Sequence, residues 1–250
     1  MRLNRANGRA LRGVALTVFE LFLMTLSSTA QSQNPEPANQ VWGALNVSFE
    51  LSERSRVTAF IEKHDGEEDA LFKERKFGVL FGYRVRRLGK HLSSDNDKEN
   101  EYNLVLAAGY EYIVTDQDKA SSIHEHRLVL QATPKYAFGL GILAQDRNRL
   151  EFRWQDDGYD FRYRNRLTVE RPFRIGKLRL SPYAAGELFW ARNHHAWNEN
   201  QYAFGVQWPV KTIFKLNTYY LRQNCTTCGT DPLNVLGLTA NFYFDWPRRR

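Results

Sequence analysis

Two cysteines, Cys225 and Cys228, stand three residues apart in the run NCTTCGTDP. A Cys-x-x-Cys pair works as a redox dithiol when a helix N-terminus lowers one thiol's pKa, and as half a zinc site when a second pair completes four ligands. The flanking residues read as strand, loop, strand, and the chain has no other cysteine. A disulfide that staples this loop in an oxidising compartment is the better reading. His124 and His126 alternate on one strand, and His194 and His195 adjoin in a polar run. No carboxylate cluster stands beside either pair, so neither a metal nor a cofactor is expected. Ser121 and Ser122 are near His124 in sequence, but the chain contains no Gly-x-Ser-x-Gly elbow. No catalytic residue is assigned.

The charged residues carry more information. Arg149, Glu151 and Arg153 alternate with Leu150, Phe152 and Trp154, and then comes Asp156-Asp157-Gly158. Arg162, Arg164 and Arg166 follow, alternating with Phe161, Tyr163 and Leu167. Side chains on a strand point to opposite faces in turn, so a tight hairpin here gathers both arginine rows on one face. A soluble barrel or sandwich would bury the rings and leave the arginines in water, because burying so many cations is costly. A membrane barrel does the reverse, with rings toward lipid and arginines around a wet lumen. On that scheme the lumen is lined by Arg84, Glu111, Arg149, Glu151, Arg153, Arg162, Arg164, Arg166, Glu170 and Glu187. The four glutamates are expected to pair with the arginines.

Period-two alternation extends over much of the chain. It appears in Gln40–Leu51, Lys76–Arg86, Tyr102–Val114, Arg149–Gln155, Phe161–Glu170, Gln201–Trp208 and Asn234–Phe244. Many such runs, separated by turn residues, predict one large antiparallel sheet. A direct count gives eleven strands. Bacterial single-chain barrels use even numbers. A turn at Pro134-Lys135 would make Tyr136–Ala144 a separate strand and bring the count to twelve. Ten is the alternative, since Arg56–Lys63 alternates poorly. The twelve-strand layout puts the three longest polar loops, 87–101, 191–200 and 224–233, on one side. Tyr102, Tyr110, Tyr112, Trp154, Trp190, Tyr202 and Trp208 fall near strand ends, as interfacial girdles do.

The first thirty residues run basic, apolar, small. Arg2, Arg5, Arg9 and Arg12 precede Val14–Leu26, and Ser28-Thr29-Ala30 precedes Gln31. That is the order of a secretory signal peptide, and the apolar run is too short for a membrane-spanning helix. Residues 31–39 read as a polar tether, 40–244 as the barrel and 245–250 as a basic tail. The formal charge is +7, but several of its arginines lie in the two terminal clusters, so nucleic acid is not an expected partner. Aromatic residues are 14% of the chain while its mean hydropathy is −0.56. That combination suits a protein that is apolar on one surface only.

Segments Asn148–Trp154 (NRLEFRW), Tyr163–Pro172 (YRNRLTVERP), Tyr183–Phe189 (YAAGELF) and Asn234–Phe244 (NVLGLTANFYF) resemble the uncharacterised bacterial outer-membrane β-barrels of domain of unknown function 2490. The resemblance covers residues 40–244. It implies an all-β, antiparallel, transmembrane up-and-down barrel in the cell outer membrane. The implied partners are outer-membrane lipid and the barrel-insertion machinery, and no protein partner is identified. Such barrels usually end on an aromatic residue, whereas here Asp245–Arg250 runs on past Phe244. The expected role is a structural barrel or small-solute pore with an Arg/Glu-lined lumen. The alternatives are an outer-membrane enzyme acting on lipid or lipopolysaccharide, and a soluble periplasmic ligand-binding barrel with the faces inverted.

Overall fold

The computed structural model describes residues 37–66, 73–85, 98–116, 122–138, 141–156, 158–211, 213–226 and 232–245. Expectations for residues 1–30, for Cys228 and for the basic tail beyond Asp245 lie outside them. The strands are β1 (Ala38–Glu50), β2 (Ser55–Gly66), β3 (Lys73–Arg84), β4 (Leu104–Asp116), β5 (Ser122–Phe138) and β6 (Ile142–Gln155). Then come β7 (Gly158–Glu170), β8 (Phe173–Ile175), β9 (Leu178–Ala191), β10 (Ala196–Lys211), β11 (Phe214–Cys225) and β12 (Leu233–Asp245). One 3-10 helix, Lys98–Glu101, precedes β4.

Neighbouring strands pair antiparallel from β1 to β7, then β7–β9–β10–β11–β12. β12 pairs with β1 in parallel, from Ala38↔Leu233 to Glu50↔Asp245, and this closes the ring. Closure leaves the sheet no edge. The ring therefore has eleven strands, and its closing pair is parallel because the number is odd. β8 is no stave of the ring. It makes a three-residue hairpin with the start of β9, turned at Gly176, whose φ of 58° favours glycine.

The twelve-strand layout fails at Pro134. β5 runs through Pro134-Lys135 to Phe138, and Tyr136–Ala144 is not a separate strand. The ladder from β5 to β6 skips Thr133 and Pro134 and resumes in the same register, from Ala132↔Asn148 to Lys135↔Gln145. Proline's missing N–H thus breaks two rungs without ending the strand. An odd ring also puts the first and last ring residues at opposite mouths. Ala38 lies at one mouth and Asp245 at the other, so the long connections do not share a side. β3 ends and β4 begins at the Glu50 mouth, whereas β9 and β11 end and β10 and β12 begin at the Ala38 mouth. The expected loop 191–200 is mostly strand, and only residues 192–195 turn.

Alternation sets the two surfaces. Every ring strand exposes at least one large apolar side chain: Val41, Ile61, Phe77, Leu106, Leu128, Trp154, Leu167, Leu188, Phe204, Tyr220 and Leu236 in ring order. The intervening residues point inward. Inward glycines make room for inward rings, since a Cβ at Gly237 would stand 2.0 Å from the Tyr219 ring.

Candidate functional site: a charged lumen with a floor

The inward faces of β4, β5, β6, β7 and β9 form a lattice of guanidinium and carboxylate groups. On β6 and β7 the register places Arg147 opposite Arg166, Arg149 opposite Arg164, Glu151 opposite Arg162, and Arg153 opposite Asp160. Two of these four rungs pair like charges, which a sheet tolerates only when carboxylates arrive from elsewhere. Neighbouring strands supply them. Glu111 on β4 lies 3.3 Å from Arg127 and also accepts from Arg149. Glu187 on β9 lies 2.8 Å from both Arg147 and Arg164, and 3.6 Å from Arg166. Glu125 on β5 accepts from Arg127 and from both Nε and Nη2 of Arg153.

Glu151 is the hub. It is 0% exposed. Its carboxylate lies 2.8 Å from Arg149, 2.7 Å from Arg162, 3.1 Å from Arg164 and 3.6 Å from Arg127. Beneath it Phe189 offers its ring face, with Arg164 at 4.5 Å and Arg162 at 5.4 Å from the centroid. Such contacts stabilise desolvated guanidinium groups.

Toward the Ala38 mouth, Lys76 lies 3.4 Å from both Glu62 and Glu74. His64 bonds Glu62 at 2.6 Å and stacks on Trp42, with ring centroids 4.0 Å apart. The opposite wall is mostly uncharged and carries Gln201, Gln207, Asn217, Tyr219, Gln223 and Asn241, with Glu199 and Lys215 its charged members. Between the walls is a cavity of about 740 Å³. Nine cationic side chains and five carboxylates line it. Glu151 and Glu187 are buried behind the arginines, so cations stay in excess when these two are included.

The lining stops short of the Glu50 mouth, where a buried layer lies across the ring. Glu50 bonds Arg56 and Arg84, at 2.6 and 2.7 Å. Arg84 also donates to the Glu53 carbonyl, as does the Tyr102 hydroxyl. The 3-10 helix sits against this layer. Asn100 accepts from Lys135 at 2.8 Å and donates to Glu170, Glu99 lies 3.4 Å from Arg56, and Lys98 pairs with Asp245. Arg84, Asn100, Tyr102, Lys135 and Glu170 are all buried. Among the described residues this layer forms a floor.

The expected lining residues therefore divide in two. Arg149, Glu151, Arg153, Arg162, Arg164, Arg166, Glu111 and Glu187 share one lattice. Arg84 and Glu170 belong to the floor, where Glu170 accepts from Asn100 and Gln207. Sequence reasoning missed Arg127, Glu125 and Arg147. Glu125 and Arg127 alternate with His124 and His126, so the same periodicity could have revealed them. Tyr102 was expected among the outward rings. It faces inward because the 3-10 helix breaks the alternation just before β4 begins. His124 and His126 face outward and bond Tyr112 and Tyr110, while Ser122 bonds Asp116. Cys225 ends β11 and is disulfide-bonded.

A closed eleven-strand barrel with an apolar outer belt and an ion-paired interior is the class of protein this fold and site define. The chain belongs to the DUF2490 family, described as protein of unknown function, whose family model matches residues 98–234. That span runs from the 3-10 helix to the start of β12 and contains the whole arginine lattice. Among curated proteins and among solved structures nothing matches the chain.

Proposed function

We propose that this chain is an outer-membrane β-barrel protein whose lumen is a cationic chamber, open at the Ala38 mouth and floored at the Glu50 mouth. One observation carries this: the exposed apolar side chains circle all eleven ring strands while the arginines of the lattice face inward. Soluble monomers rarely expose contiguous apolar patches beyond a few hundred Å². A bilayer supplies the matching surface, and closure satisfies every strand's backbone there. Ring strands of 12 to 17 residues exceed the roughly 9–11 that a tilted strand needs to cross the hydrocarbon core. The signal-peptide pattern of residues 1–30 supports the same route. So does the treatment of polar groups on the outer face of β6 and β7. Asn165 donates to Asp146 at 2.6 Å and to Asn148 at 3.1 Å, and the Tyr163 hydroxyl donates to Asn148. Polar groups in lipid pair with one another in this way.

The partners of this reading are outer-membrane lipid and the barrel-insertion machinery. The chamber holds small solutes and water, and the floor keeps it from being an open pore. Cell fractionation tests the location. The account expects the protein in the outer-membrane fraction, extractable by detergent, with a gel mobility that changes on boiling. Recovery as a soluble periplasmic monomer would contradict it.

A further inference from the structure

We infer that the chamber binds a small hydroxylated anion, with its phosphate or carboxylate group held by Arg147 and Arg166. The inference deepens the proposed function, since it takes the chamber to be the barrel's watery interior.

Charge balance locates the site. Along the β6–β7 ladder the rungs nearer the Ala38 mouth are opposite-charge pairs, Glu151 with Arg162 and Arg153 with Asp160. The last arginine rung before the floor is Arg147 with Arg166. These two share Glu187, which also takes the Nε of Arg164. Three guanidinium groups thus converge on one carboxylate. Arg147 and Arg166 are also the most exposed arginines of the lattice, with side chains 28% and 25% accessible, whereas Glu187 behind them is 2% exposed. Buried charge normally comes paired, and a planar guanidinium fork matches the oxygens of carboxylate and phosphate. An entering oxyanion would complete the pairing that Glu187 leaves unfinished.

The facing wall specifies the rest of the ligand. Gln207 and Asn217 line the cavity, and their buried Oε1 and Oδ1 have no hydrogen-bond partner among the described residues, so a small side-chain rotation would present them to a ligand. Acceptors there suit hydroxyl groups, and the Tyr219 ring offers a face for stacking. A wall made mostly of side-chain amides, with only Glu199 and Lys215 charged, opposite an arginine wall fits a molecule that is anionic at one end and hydroxylated along its body. The cavity volume lies within the usual range for small-molecule sites, roughly 300–1,000 Å³. The closed ring has no lateral gap, so the ligand enters from water and not as the headgroup of a bilayer lipid.

The test uses the full mature chain folded in detergent, with inorganic phosphate, glucose 6-phosphate and glucose as calorimetric probes. Glucose 6-phosphate is expected to bind best, phosphate more weakly and glucose least. Arg147→Gln and Arg166→Gln should each weaken glucose 6-phosphate by about tenfold or more, as loss of one charged hydrogen bond does. Arg166→Lys should recover part of the loss. A measurement on the unmodified chain guards against a variant that fails to fold. An arginine-selective dicarbonyl should label Arg147 and Arg166 more slowly when phosphate is present, with exposed Arg179 unchanged. Equal binding of glucose and glucose 6-phosphate, or labelling indifferent to phosphate, would overturn the inference. Either result in a protein that fractionates with the outer membrane would leave the barrel reading standing.

Discussion

Glu151→Gln destabilises the folded barrel by about 3–5 kcal/mol, the cost of removing one partner from a buried ionic cluster. The substitution keeps the shape and removes one negative charge. Arg127, Arg149, Arg162 and Arg164 all lie within 3.6 Å of that carboxylate. Arg162 has no other carboxylate among the ion pairs of the described residues. Whole domains are stable by only about 5–15 kcal/mol, so the variant should lose a large share of its resistance to urea in detergent. Two comparisons isolate the cause. Glu199→Gln, also in the lumen but hydrogen-bonded to Gln201, should cost far less. Adding Arg162→Met to Glu151→Gln should recover part of the loss, because removing both partners leaves less uncompensated charge. Equal stability of Glu151→Gln and the parent would mean that the arginines are solvated individually and that the lattice is not what holds the interior.

Replacing Lys98–Glu101 with a glycine–serine stretch of equal length turns a closed barrel into a conducting one. The replacement removes Asn100, which links Lys135 to Glu170, and Glu99, which reaches Arg56. It leaves every ring strand intact. In a planar bilayer the parent should hold a steady closed baseline, and the variant should show stepwise ionic current. Cation excess in the lumen predicts that this current favours anions. A parent that already conducts would contradict the floor. A variant that stays closed would assign closure to the remaining floor residues, Glu50, Arg56, Arg84, Tyr102, Lys135 and Glu170, without the 3-10 helix.

The two surfaces of the sheet were legible because strands have a two-residue period. In RLEFRWQ the arginines and rings separate without reference to any other part of the chain. What depends on distant partners was not legible. The floor joins Asn100, Lys135 and Glu170 from three separate elements, and no local pattern marks those residues as neighbours. Arg147 continues the row of Arg149 and Arg153, yet its shared carboxylate lies on β9, forty residues on in sequence. The twelfth strand was misplaced for a different reason. The direct count of eleven was physically correct, and the even-number rule displaced it by inserting a turn at Pro134. A proline that breaks two rungs but keeps register cannot be told from a turn by residue type alone. Tyr102 shows the converse limit, since a four-residue helix shifts its alternation without a Gly or Pro to announce it.

The most direct test of the proposal that the outer surface meets hydrocarbon uses two adjacent residues of β12. Leu238 is exposed on the outer face, and Thr239 lines the cavity. Each is replaced in turn by cysteine, with Cys225→Ser and Cys228→Ser in the background, and spin-labelled in reconstituted bilayers. The account predicts that lipid-dissolved oxygen broadens the label at 238 and that a water-soluble nickel chelate broadens the label at 239. Both labels equally open to the nickel chelate, or the two responses exchanged, would contradict it.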